Sequence, residues 1–293
     1  IDFYYRTTED LINFIPVPAG SNLTNFLLTN IGSLENKGVE FSIMTRPIVT
    51  EKWYWDIGFN ATYNENKITK LTASDDPDYL GEPTGGISGG VGNNIQIHSV
   101  GYPANSFFVL EQVYDENGKP IEGLYVDRNG DGEITNADKY HYKQPASKFF
   151  FGLNSNLRYK GWDLAFSGRA NFGNYVYNNV ASENGVYERL YRPEGPYLSN
   201  VASYVYETNF QSPRYMSDYY VQEASFFRMD YISLSYLFSN LGGSRVSLRI
   251  SGTVNNAFTI TNYKGLDPEI FGGIDNNIYP RPRAYVLGIN LVF

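Results

Sequence analysis

"FFFGLNSNLRYKGWDLAFSGRANFG", residues 149–173, holds two strands and the turn between them. Taken every second residue, Phe149, Phe151, Leu153, Leu157 and Tyr159 fall on one side, and Gly152, Asn154, Asn156 and Arg158 on the other. After a tight Lys160-Gly161 turn, Trp162, Leu164, Phe166, Ala170 and Phe172 alternate with Asp163, Ser167, Arg169 and Asn171. Side chains point to opposite faces along a strand, so this is a β-hairpin with one apolar and one polar face. The apolar side carries no charge, while the other is charged and rich in Asn, as a water-filled lumen requires. A soluble sandwich can also contain such strands, and the rest of the chain has to decide.

"WYWDIGFNATYN", residues 53–64, repeats the pattern, with Trp53, Trp55, Ile57, Phe59, Ala61 and Tyr63 on one face. Aromatics sit at both ends of that face. The span from Trp53 to Tyr63 is roughly 33 Å of strand. Tilted by about 45°, it covers roughly 23 Å along a membrane normal, close to the apolar band of an outer-membrane barrel between its aromatic girdles. Val39-Glu40-Phe41-Ser42-Ile43, Arg245-Val246-Ser247-Leu248-Arg249-Ile250 and the terminal "AYVLGINLVF" (284–293) alternate in the same way. In "SFFRMDYISLSYLF" the phase slips after Met229, which predicts a bulge near Tyr231. This pattern places Ile57, Phe59, Leu153, Phe166 and Leu248 toward lipid, and Asn60, Asn154, Arg169 and Arg249 toward the lumen.

The connections alternate in length. "RPIVTEK", "YKGW" and "SNLGGS" are short, and between them run long polar stretches, about residues 9–36, 73–94, 116–148, 175–224 and 258–282. Short turns on one side of the membrane and long loops on the other mark a transmembrane β-barrel. Compact soluble domains seldom carry so many long loops. With Phe293 at the periplasmic end, parity puts the long loops outside the cell. The stretch 95–115 then adds either no crossing or two, and "YPAN" offers the turn for a second hairpin, so two crossings are expected. The fold class is all-β, an antiparallel transmembrane barrel portion over 1–293 with fewer than a dozen strands.

Composition agrees. The 293 residues include 26 Tyr and 19 Phe, 28 Gly and no Cys, which favours strands and turns and removes disulfides and thiolate metal sites. A net charge of -8 disfavours nucleic-acid binding. No apolar run is long enough for a spanning helix. The chain opens in mid-strand with "IDFYYRT", without Met or a signal peptide, as a fragment or processed piece would.

Five stretches, in this order and spacing, resemble the SusC/RagA family of TonB-dependent transporters of the Bacteroidota. They are "NIGSLENKGVEF" (30–41), "YVDRNGDGEITNAD" (125–138), "ASFFRMDYISLSY" (224–236), "TNYKGLDPE" (261–269) and "YPRPRAYVLGINLVF" (279–293). The resemblance implies the C-terminal part of a barrel of about 22 strands, whose plug, TonB-contacting segment and signal peptide lie upstream. It further implies TonB-dependent active import of oligosaccharides or peptides across the outer membrane. A SusD-like surface lipoprotein and the TonB-ExbB-ExbD complex are the implied partners, and no enzyme activity is expected. The terminal Gly288, Leu291 and Phe293 are similar to the signal read by the barrel-assembly machinery. A passive porin-type channel and, at greater distance, a soluble all-β glycan-binding module are the competing readings.

Candidate sites are few. "DRNGDGEITNAD" fits a calcium loop, with Asp127, Asn129 and Asp131 at alternate positions and Gly132 at the sharp turn. Glu133 would offer its carbonyl and Asp138 would close the set, as oxygen ligands for a structural Ca²⁺. The competing reading is a polar turn. His98 and His141 stand alone in sequence and are read as non-catalytic. Tyr175, Tyr177, Tyr187, Tyr191, Tyr197, Tyr219 and Tyr220 could stack on substrate or pack the loops, and sequence does not separate the two.

Overall fold

A computed structural model describes residues 1–16, 26–72, 79–90, 92–191, 198–243 and 245–293. Eight long strands form one sheet. They are β1 (Asp2–Pro16), β2 (Phe26–Val49), β3 (Trp53–Lys70), β4 (Phe149–Tyr159), β5 (Trp162–Phe172), β6 (Phe226–Phe238), β7 (Ser247–Thr261) and β8 (Ala284–Val292). Each pairs antiparallel with its neighbour in chain order. The result is an open curtain with β1 and β8 at its edges.

Register carries the two faces across the curtain. Phe41, Ala61, Phe151, Ala170, Phe227 and Ile260 form one row over six strands. The next row, one residue along, is Ser42, Asn60, Gly152, Arg169, Arg228 and Thr259. Ile57, Phe59, Leu153, Phe166 and Leu248 share the apolar face, and Asn60, Asn154, Arg169 and Arg249 the polar one, as the alternation predicts. Aromatic rings bound the apolar face at both ends. Trp53, Tyr159, Trp162 and Tyr236 make one row beside the short turns, with ring centroids 4.0 Å apart for Trp53–Tyr159 and 4.8 Å for Trp162–Tyr236. Tyr63, Phe149 and Phe172 make the other. Ser155 breaks the apolar face, but its hydroxyl accepts from Trp55 Nε1 at 2.9 Å and donates to the Asp56 carbonyl, so no polar group is left unmet.

On the polar face, Gly58 lies opposite Asn154 and Gly152 opposite Asn60. A Cβ on either glycine would collide with the facing amide. Each glycine therefore makes room for an Asn head, which is why small and amide residues alternate there. The expected bulge is present. Ser167 faces Tyr231 and Gly168 faces Met229, so Asp230 is the extra residue that resets the phase of β6.

Three expectations are corrected. Residues 95–115 add no crossing. Asn94–His98 and Ser106–Val109 are strands of five and four residues, too short for the 9–11 that a membrane strand needs. They belong to a separate sheet with Glu82–Gly86 and Tyr140–His141. Ile95, Gln96 and Ile97 are all buried, so neither face is free for lipid. Second, much of the 9–36 stretch is strand. β1 and β2 pair to Pro16 and Phe26, past the apolar band, with polar cross-strand contacts such as Tyr5 to Glu35; residues 17–25 lie outside the described set. Third, the long connections contain the hydrophobic core. Ile87, Ile95, Phe107, Val109, Tyr177, Ala181, Tyr204, Tyr220 and Val221 cluster there, drawn from the segments 79–148 and 173–225. A three-stranded sheet of Val221–Glu223, Tyr175–Asn178 and Ile274–Asp275 ties the third segment, 262–283, to them.

These segments fold over the polar face. The Ala104 N–H donates to Asn66 Oδ1 at 2.9 Å, and backbone bonds join Ile68 to Gly101 and Tyr102. Asn66 and Ile68 continue the polar row of β3 and are covered by the loop. The curtain thus has one face capped by its own loops and one bare apolar face.

Phe166→Arg should cost about 2–4 kcal/mol if that face meets the bilayer midplane. Ser167→Arg, one residue along, should cost far less. Urea midpoints of the full barrel refolded in lipid vesicles check this, and equal losses for the two would contradict the face assignment.

Candidate functional site

Two features stand where the loops meet the polar face. The first begins with a problem in the wall. Arg169 and Arg228 are direct cross-strand neighbours, and like charges so placed repel. Arg228 is only 3% exposed. The segment 262–283 supplies the counter-charge. Arg228 donates to Asp267 Oδ1 at 2.6 Å and to Glu269 Oε2 at 2.8 Å, and Arg169 donates to the same Glu269 oxygen at 2.8 Å. Arg281 closes the set, 2.9 Å from Asp267 and 3.1 Å from Glu269. Asp230, the bulge residue, lies 3.6 Å from Arg169. The Glu269 N–H donates to Asp267 Oδ1, so the turn that carries both acids is fixed internally. Arg228 Nε also donates to Thr259.

The second feature is a cleft of about 400 Å³ lined by Tyr102, Ser106, His141, Tyr142, Lys143, Lys148 and Tyr175, among others. The rings of Tyr102 and His141 stack 3.6 Å apart and 9° from parallel. The Lys143 ammonium lies 5.2 Å from the Tyr142 ring centre and 5.1 Å from that of Tyr175. Lys148 precedes β4 and continues its polar row. Burial pushes the His141 imidazole below its usual pKa, and its Nε2 lies 2.8 Å from Ser99 Oγ. His98 pairs with Asn105 instead. The two histidines do not meet on a common reactive centre.

The 127–138 turn lines neither, although its Arg128 lies over the ring of Tyr140, which packs against Tyr142 of the cleft. Asp127 accepts the Gly130 and Gly132 N–H groups, and Asp131 accepts that of Glu133. Gly130 and Gly132 have φ of 75° and 85°, the left-handed backbone that the turn demands. Asp138 is fully buried, and its carboxylate accepts the N–H groups of Thr135 and Arg128 at 2.8 and 2.9 Å. These bonds hold its pKa below the usual carboxylate range, the Thr135 N–H first among them. Among the described residues, no three His, Cys, Asp or Glu side chains converge as a metal cluster.

The loop tyrosines divide. Tyr177 and Tyr220 are wholly buried in the loop core, Tyr175 and Tyr219 pack against it, and Tyr191 is exposed. Tyr197 lies outside the described residues.

Comparison with known proteins gives a consistent picture. The family described as "TonB dependent receptor-like, beta-barrel" matches residues 1–145. The chain is 47% identical over 298 residues to TonB-dependent receptor SusC of Bacteroides thetaiotaomicron, covering all of this chain and 30% of that protein. It is 31% identical over 329 residues to TonB-dependent receptor P3 of Formosa agariphila, covering 32% of it. Among solved structures, the RagAB peptide importer in its open-open state aligns over 99% of this chain and 32% of that chain, with a TM-score of 0.75 and 25% identity. The RagAB peptide transporter aligns over 98% with a TM-score of 0.72.

The chain belongs to the TonB-dependent receptor β-barrels.

It spans about a third of the length of these relatives. TonB-dependent receptors of this kind are outer-membrane proteins and not enzymes. Within this receptor barrel, three of the stretches that carry the family resemblance meet in the charge cluster. "ASFFRMDYISLSY" supplies Arg228 and Asp230, "TNYKGLDPE" supplies Asp267 and Glu269, and "YPRPRAYVLGINLVF" supplies Arg281. Nothing in their spacing links the three, and each carries more than one charge, so no lone charge marks the site in the sequence.

Arg228→Ala should leave Asp267, itself 4% exposed, short of its main partner. A loss on the order of 3 kcal/mol is expected for breaking a buried pair. Arg158→Ala removes an exposed pair with Asp163 and should cost within about 1 kcal/mol. Hydrogen exchange over residues 262–283 in the full barrel reads the difference, and unchanged protection in Arg228→Ala would contradict it.

Proposed function

We propose that the full protein imports oligosaccharides or peptides across the outer membrane in a TonB-dependent manner, through the barrel of which this chain forms part of the wall. The supporting observation is the pairing of a bare apolar face, bounded by aromatic rows, with a polar face that the long loops cap. A passive pore needs an open lumen, whereas loops latched over the polar face suit gated, driven uptake. The likeness to SusC and to the RagAB peptide importer points the same way. In this reading a SusD-like lipoprotein closes over the loop side, and TonB-ExbB-ExbD drives the cycle through parts of the receptor beyond this chain. Gly288 and Leu291 on β8, with Phe293 just beyond it, would be the residues that the barrel-assembly machinery reads. The test is uptake of labelled oligosaccharide and peptide pools by cells carrying the full receptor. Uptake should cease without TonB or on collapse of the proton gradient, and persistence under both would support a passive channel instead.

The 127–138 turn carries a second, smaller proposal, a structural Ca²⁺. Its donors are all hard oxygens, which suits that ion. Asp127, Asn129, Asp131, Asp138 and the Glu133 carbonyl would hold it, with Asp138 also bracing the turn through the Arg128 and Thr135 N–H groups. Sites outside cells are often weak, with Kd on the order of 10⁻⁴–10⁻³ M. Protease cleavage within 116–148 should therefore slow in millimolar calcium and speed up in chelator, and Asp131→Ala should abolish the difference. Equal cleavage in both conditions would leave only a polar turn.

A further inference from the structure

We infer that the cleft between Tyr102, His141, Tyr142, Lys143, Lys148 and Tyr175 is a ligand subsite for the carboxylate-bearing sugar of an acidic oligosaccharide. The inference rests on the import reading above and narrows its substrate class.

Three observations carry it. First, the cleft is cationic without an internal counter-charge. Its lining holds two lysines and no Asp or Glu. Neither Lys143 nor Lys148 forms an ion pair among the described residues, although the neighbouring charge cluster gives each of its arginines a carboxylate partner. Lys143 is held between two tyrosine rings, so its ammonium is positioned before any ligand arrives. Burial biases the His141 imidazole toward its neutral form, and the two lysines are the cationic side chains of the lining. An anionic group is the natural complement.

Second, the cleft offers flat aromatic surface. Tyr102 and His141 form a nearly parallel stack, and Tyr102 and Tyr142 are 43% and 38% exposed. Ring faces beside fixed hydrogen-bonding groups receive the apolar face of a pyranose, while Ser106 and Gln144 add polar groups. The volume of about 400 Å³ suits one or two sugar rings.

Third, much of the main chain beside the cleft is already committed. The Tyr142 N–H and the Lys143 carbonyl pair with Phe107, and the Gln144 carbonyl accepts the Tyr175 N–H. These bonds leave little continuous edge for recognition by strand addition. Selection must come from side chains, as it does for sugars.

The cleft is also placed for the task. Lys148 continues the polar row of β4, and the Asn64 N–H donates to its carbonyl at 2.9 Å. Ligand held here sits where the loops meet the polar face.

The experiment uses the full receptor, purified with its surface partner, and three probes of similar length: a trigalacturonate, maltotriose and triglutamate. Titration calorimetry is run for wild type, for Lys143→Gln with Lys148→Gln, and for Lys160→Gln at a distant turn as control. Trigalacturonate should bind about tenfold or more weakly to the double variant and weaken with added salt. Maltotriose binding should be unchanged by the substitutions. Should maltotriose match trigalacturonate in wild type, or the double variant bind trigalacturonate normally, the subsite is not one for acidic sugars. If triglutamate is preferred and lost in the double variant, the cleft selects acidic peptides and the inference is overturned. Uptake of maltotriose but not trigalacturonate by energised cells would overturn this inference alone. Energy-independent uptake would overturn the import reading instead.

Discussion

Two arginines facing each other across a β-ladder set the terms for the loop side of this molecule. Arg169 and Arg228 are cross-strand neighbours on the polar face, and Arg228 is buried. Without carboxylates that juxtaposition is unfavourable twice, through repulsion and through desolvation. Asp267 and Glu269 resolve both, but only when the 262–283 segment folds inward and down onto the wall. Arg281, just before the last strand, then binds the same two acids. The cluster therefore couples β5 and β6 to the turn that leads into β8. A loop that would otherwise extend into solvent becomes a cap.

The molecule divides its physical labour accordingly. The wall is held by backbone pairing and has little buried side chain of its own, since its apolar face is built to meet lipid rather than protein. The connections follow soluble-protein rules and bury Phe107, Tyr177, Tyr220 and their neighbours in a core of their own. The polar face is where the two regimes join, through Asn66, Ile68, Arg169 and Arg228. Both candidate sites lie along that seam. The cluster holds the seam closed, and the cleft beside it keeps two lysines that form no ion pair among the described residues.

The wall was legible in the sequence because a strand with one lipid face must alternate. The rows from Trp53 to Tyr63 and from Phe149 to Phe172 follow from counting by two, and even the bulge at Asp230 shows as a slip of phase. The loops were not legible in the same way. Ile95, Ile97, Phe107 and Val109 alternate like membrane residues, but their strands are short and both faces are buried by segments distant in the chain. Period alone does not tell lipid from protein as the apolar partner. The extension of β1 and β2 was hidden for the opposite reason, since pairing beyond the apolar band needs no hydrophobic signal. Of the candidate sites, the 127–138 motif was visible because its ligand types are contiguous. The arginine cluster joins Glu269 to arginines 41 and 100 positions away, and the basic cleft gathers residues between Tyr102 and Tyr175, so both emerge only when the chain is folded.

The central claim is a curtain with one face to lipid and one to loops, and cysteine scanning of the wall tests it directly. Single cysteines placed along β5 and β6 of the full receptor, in outer-membrane vesicles, can be labelled with a fluorophore and challenged with spin-labelled lipid and with a water-soluble quencher. The account predicts lipid quenching at positions 164, 166, 232 and 234 and aqueous quenching at 163, 165, 233 and 235, with the alternation changing phase across Asp230. Uniform quenching along either strand, or an alternation that runs through Asp230 unbroken, would contradict it.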